Sequence, residues 1–163
     1  MVATVLIVEK NGAGGTNTDK TGGTIRMKDA DDSNVDTNNP MVIPGSGSNY
    51  SFEKWLRMKM TVAPSVQLSN LKFYTDGTNS MGTGFNLWAK NVTTFATPAQ
   101  VSSTTGYTNA FSYSSGSPLV LGAGPYTTTG EMGDHVVLAQ EVQSTATQGQ
   151  TPSETLTFSY DEI

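Results

Sequence analysis

The chain contains no cysteine and a single histidine, and only 14% of its 163 residues are charged. The lack of cysteine excludes disulfide frameworks, thiolate zinc sites and thiol nucleophiles together. It leaves the redox compartment open, because a cysteine-free protein tolerates either kind. Nine Lys and Arg against fourteen Asp and Glu give a net charge of −5. The basic field on which duplex binding rests is therefore missing, and no nucleic-acid partner is expected. Nor is there an apolar run of about 18 residues of the kind that crosses a bilayer as a helix, so no membrane partner is expected. The stretch from Met1 to Glu9 lacks a basic n-region and reads as a first strand rather than a signal peptide.

What is present is alternation. Phe52, Leu56, Met58, Met60 and Val62 share one parity, while Glu53, Trp55, Arg57 and Lys59 share the other. A strand sends these sets to opposite faces, whereas a helix would scatter them. Lys54 interrupts the apolar set and suggests a strand end or bulge. Leu71 and Phe73 alternate with Lys72 and Tyr74, Phe85, Leu87 and Ala89 with Asn86, Trp88 and Lys90, and Leu156, Phe158 and Tyr160 with Thr and Ser. Further strands are expected at 3–9, 24–28, 98–101, 119–121 and 135–143. Segment 11–23, rich in Gly and small polar residues, reads as a long loop or a wide hairpin connection, and 102–117, rich in Ser, Thr, Tyr and Gly, as an exposed loop. Segment 29–49 is polar and acidic, with Pro40, Pro44 and Gly45-Ser46-Gly47, and reads as an extended arm or surface loop in which Met41-Val42-Ile43 supply an apolar anchor.

About eight to ten short strands without a helical period point to an all-β fold. We expect one domain over residues 1–163, a two-sheet β-sandwich of jelly-roll-like type, with 11–49 as a long N-terminal loop or arm.

The chemical motifs fail in context. His135 has Asp134 as its neighbour, but adjacent strand residues face apart, so the pair forms no triad. The run Asp29 to Asp36 has oxygen ligands suited to Ca²⁺, yet Asn34 stands where an EF-hand needs Gly and Pro40 where it needs Glu. An irregular Ca²⁺ loop and a solvated acidic turn both remain open there. The Gly12–Gly15 run precedes no helix pattern and does not cradle phosphate. Glu53, Asp76, Glu131 and Asp134 could supply a carboxylate pair for glycoside hydrolysis only if the fold brought two of them together. No catalytic residue, cofactor or metal is assigned, and the chain is expected not to be an enzyme. Trp55, Tyr74 and Trp88 fall on the parity opposite the apolar faces. There they can be core, subunit interface or sugar-stacking surface.

Three segments carry a resemblance: Glu53-Lys54-Trp55-Leu56-Arg57-Met58-Lys59, then Leu68-Ser69-Asn70-Leu71-Lys72-Phe73-Tyr74, and the ending from Thr151 to Glu162. Together they resemble small virion proteins encoded near the capsid genes of tailed bacteriophages. The resemblance touches about a third of the chain, in its strands. It implies a capsid decoration, or cement, protein on the outside of the virion head, a homotrimer bridging capsomers with the major capsid protein as partner. Candidate interface residues are Trp55, Tyr74, Trp88, Met41, Val42 and Ile43. The rival expectation is a receptor- or glycan-binding head or tail-fibre domain. It would use Trp55, Trp88, Tyr107 and Tyr113 as stacking surfaces, with 102–117 as its tip.

Overall fold

The structure is a computed structural model that describes residues 1–149 and 151–163. Ten strands follow one another: β1 (Thr4–Asn11), β2 (Thr16–Asp19), β3 (Ser48–Tyr50), β4 (Lys54–Val62), β5 (Leu68–Tyr74), β6 (Phe85–Val92), β7 (Thr108–Asn109), β8 (Leu119–Gly122), β9 (Gly130–Gln143) and β10 (Thr157–Glu162). A single 3₁₀ turn, Ala110–Ser112, is the one helical element among the described residues.

The strands form two antiparallel sheets. The larger runs β2-β1-β4-β9-β6-β7, with β3 also pairing β9, and the smaller runs β10-β5-β8. The all-β, two-sheet expectation therefore holds. The fourteen-residue β9 is the spine of the larger sheet, pairing with β4, β3 and β6. Its partner in sequence pattern, β4, pairs with β1 on the other edge in a register that sets Glu9 opposite Leu56 and Lys10 opposite Trp55. Directly opposed residues share a face, so β4 can be followed side chain by side chain. Leu56, Met58 and Met60 point inward and are almost wholly buried, against Leu68, Leu71 and Phe73 of β5 and Leu121 of β8. Each such side chain contributes about 1.5–3 kcal/mol by leaving water. Phe158 of β10 closes the core edge-on to Phe73, with centroids 5.3 Å apart.

Where β9 passes β8 the sheets approach closely. Gly133 has φ of 65°, and a Cβ there would stand 2.7 Å from the Leu121 carbonyl oxygen. Only glycine combines that backbone with that contact. Across this stretch β9 runs from Met132 to Val136 while β4 runs only from Met58 to Leu56, so the register shifts.

Several expectations are corrected. Segment 11–49 is not one continuous loop or arm: the hairpin alternative holds for 11–23, where Thr16–Asp19 pairs with β1, and Ser48–Tyr50 pairs with β9. Residues 24–28 form no strand. Ile25 and Met27 instead pack sideways against the core, which alternation alone could not distinguish from pairing. Residues 98–101 contribute one isolated bridge, Phe52 to Gln100. Segment 102–117 is not a free tip. It holds β7 and the 3₁₀ turn, with Ala110 and Phe111 buried.

Candidate functional site

Three carboxylates of the larger sheet each gather several donors. Glu53 accepts from Trp55 Nε1 at 2.9 Å, the Tyr107 hydroxyl at 2.7 Å and Lys90 Nζ at 3.1 Å. Glu131 accepts from Lys10 at 2.7 Å, Arg57 at 2.9 Å and Asn17 at 3.0 Å. Glu141 accepts from Ser48 at 2.6 Å, Trp88 Nε1 at 3.0 Å and Asn86 at 3.2 Å. Burial would raise the pKa of each. For Glu131 this is outweighed by the hydrogen bonds from Lys10 and Asn17 and by the charges of Lys10 and Arg57, which bring it down to about 2. Burial is likewise outweighed at Glu53 by Tyr107, Trp55 and Lys90, and at Glu141 by Ser48, Trp88 and Asn86, so both are lowered. Burial and the Glu53 contact push the Tyr107 phenol up. A carboxylate held ionised by fixed donors is a poor general acid. These groups join strands and loops instead.

The expected interface aromatics separate into two kinds. Trp55 is 3% exposed. Its ring meets Phe95 and His135 edge-on at 5.3 and 5.4 Å. The outer face of the sheet is covered there by the chain after β6, so Trp55 is unavailable as an interface or stacking surface on this chain. Trp88 and Tyr74 are half-buried, and the Trp88 indole N–H is committed to Glu141. His135 is fully buried. Its Nδ1 faces the Val92 carbonyl at 3.1 Å, and its Nε2 has no partner. Burial holds its pKa down, and the charges of Arg57 and Lys10 act the same way, against the Val92 hydrogen bond. The imidazole is thus a neutral wedge between Trp55 and Phe95. Asp134 bonds Asn91 instead, at 2.9 Å.

The acidic run is folded onto the body around lysines. Lys28 has no exposed side chain and lies 2.6 Å from both Asp32 and Asp36. Hydrogen bonds from Lys28 lower both carboxylates, helped by the backbone N–H groups of Asn34 and Asn38. Asp31 accepts from Asn11 and from the Gly12 N–H, each at 2.7 Å. An ammonium thus stands where the irregular Ca²⁺ reading would put its ion. Lys54, the residue that broke the apolar parity, reaches Glu9 at 2.9 Å and the Asp32 carbonyl, with both side chains essentially buried. Lys20 lies 3.6 Å from the other Glu9 oxygen.

Of Met41-Val42-Ile43, Val42 falls at the lip of a cleft of about 670 Å³, lined also by Asp29, Tyr50, Phe52, Gln100 and Ser102 among others. Val42 is 63% exposed, and its carbonyl accepts from Asn49 Nδ2 at 2.8 Å. The sequence reading identified this anchor but not Tyr50, Phe52 or Gln100. They come together only because β3 pairs with β9 and residue 100 bridges to 52, contacts between distant parts of the chain that no local pattern announces.

No family description, curated protein or solved structure matches this chain.

Proposed function

We propose that this chain is a non-enzymatic structural virion protein, a capsid decoration protein that binds the outside of a phage head, bridges capsomers and acts as a homotrimer. The observation that supports it most is the use made of the polar side chains. Glu53, Glu131, Glu141, Asp32 and Asp36 are each held ionised by internal donors. That arrangement suits a stiff block that bears load across subunit boundaries. A clamp that binds only the joined state stabilises it by linkage, and identical copies around a threefold axis multiply a weak contact by avidity. In this reading the half-buried Trp88 and Tyr74 and the exposed Val42 lip face neighbours, and the two-sheet body is of jelly-roll-like type. The glycan-binding alternative has less support, because Trp55 is buried, the Trp88 indole N–H is committed to Glu141, and Tyr107 is bonded to Glu53.

The test is cryo-electron microscopy of phage particles with and without the protein. Threefold density on the outer shell, lost when the protein is omitted, is expected. Density confined to a tail or fibre would overturn the decoration reading in favour of its rival.

A further inference from the structure

We propose that the cleft bounded by Asp29, Val42, Tyr50, Phe52, Gln100 and Ser102 is a recognition site for a guanidinium group, the arginine side chain of an extended partner segment. The inference goes beyond the decoration reading and stands or falls without it.

Asp29 stands apart from the other carboxylates. Among the described residues every other Asp and Glu accepts a hydrogen bond from the protein: Asp19, Asp76, Asp161, Glu154 and Glu162, like the hubs above, each have a donor. The Asp29 carboxylate is exposed, and no described residue donates to it. No Lys or Arg lies within ion-pair distance of it, Arg26 three residues upstream included. In a chain that consumes its carboxylates internally, the one left free lines the cleft.

The amides sharpen the ligand class. Asn49, also at the cleft, spends its Nδ2 on the Val42 carbonyl, and Gln100 spends its Nε2 on the Tyr50 carbonyl. A carbonyl accepts and cannot donate, so both amide orientations are fixed by their partners. What each has left is its oxygen acceptor and the second N–H of its amide. The Tyr50 and Ser102 hydroxyls can turn to either role. The cleft therefore offers a free carboxylate, two amide oxygens and the half-buried rings of Tyr50 and Phe52, and none of the side chains that line it is cationic. A saccharide carries no charge to meet the free carboxylate. A guanidinium is well matched. It carries five donors and no acceptor, pairs with carboxylate, and stacks its plane on aromatic faces. The cleft volume falls within the roughly 300–1,000 Å³ of small-ligand sites. The exposed Val42 at its lip would cover the aliphatic stem of an arginine.

The experiment is a ¹H–¹⁵N titration of the intact chain with the capped tripeptide Gly-Arg-Gly, with its citrulline and lysine counterparts, and with maltotriose. The arginine peptide is expected to shift the signals of Asn49, Tyr50, Gln100 and Ser102. The citrulline peptide, nearly isosteric but uncharged, should bind roughly tenfold more weakly or worse, with lysine in between. Asp29→Asn should weaken the arginine peptide about tenfold while leaving the melting temperature unchanged, because the Asp29 backbone N–H bond to Asn39 is kept. No shift with the arginine peptide, equal binding of the citrulline or lysine peptide, or shifts at this cleft with maltotriose alone would each overturn the assignment.

Discussion

One face of one strand shows two ways of building an interior. Along β4, Leu56, Met58 and Met60 lie under the smaller sheet in contact with Leu68, Leu71 and Phe73. One step further on the same face, Lys54 lies under the chain of residues 28–36 and meets Glu9 and the Asp32 carbonyl. The face changes from apolar to ionic where its cover changes from a sheet to a loop. A sheet satisfies its own backbone and can present a purely apolar surface. An irregular loop carries backbone polar groups that must be met: Lys20 and Lys54 donate to the Ser33 and Asp32 carbonyls, and Lys28 holds the Asp32 and Asp36 carboxylates. The apolar half obtains stability directly from area. The charged half adds little net stability but fixes where the loop goes, since a buried ion pair is tolerated only with its partners in place.

The sharpest way to break this comparison is Lys54→Ala. It leaves the buried Glu9 with only the Asn11 amide at 3.2 Å and Lys20 at 3.6 Å, and a loss of about 3–5 kcal/mol in urea unfolding is expected. The double change Lys54→Met with Glu9→Leu should recover most of that loss, because the charge left behind is removed too. Met58→Ala, on the same face, should lose about 3 kcal/mol through lost burial and a residual cavity, and no change at Glu9 should rescue it.

The pH dependence comes next in size. Glu131 has a folded pKa of about 2, below its ordinary 4.5. Its contribution is therefore complete above pH 4.5 and is lost as the pH falls from there towards 2. His135 is also lowered from 6.5. The unfolded chain takes up that proton first, so stability begins to fall as the pH drops below 6.5. Unfolding midpoints between pH 8 and 3 should decline in two stages, and His135→Phe should remove the first. The smallest effect is expected from Asp32→Asn, which keeps the fold but weakens the Lys28 latch. Hydrogen exchange of the Asp29 and Phe52 amides should speed up about tenfold while that of β4 is unchanged.

The apolar half of the comparison was legible in the sequence. Period-two patterns place Leu56, Met58, Met60, Leu71, Phe73, Leu87 and Ala89 inward without ambiguity, and the structure buries all of them. The charged half was not. Lys54 reads as a strand end, because a lysine on an inward parity is expected outside unless its partner is known, and Glu9 lies 45 residues earlier. Segment 29–49 reads as an arm because its composition lacks core residues. What fixes it is Lys28, a single side chain between two aspartates, and no spacing rule marks a lysine as buried. The outer face misled for a similar reason. Trp55 has outward parity, but Phe95 from a Thr-rich loop covers it. The cleft was legible only at Val42 and its neighbours, since its other walls come from strands that meet through long-range pairing.

The central structural claim is that the charged half belongs to the same cooperative body as the apolar half. Native-state hydrogen–deuterium exchange tests it most directly, by comparing the bonded amides of Asp29 and Phe52 with those of Leu56 to Met60. The account predicts protection at Asp29 and Phe52 that approaches the strand's and collapses with it in Lys54→Ala. Free exchange at Asp29 and Phe52 beside a protected β4 in the unaltered chain would contradict it.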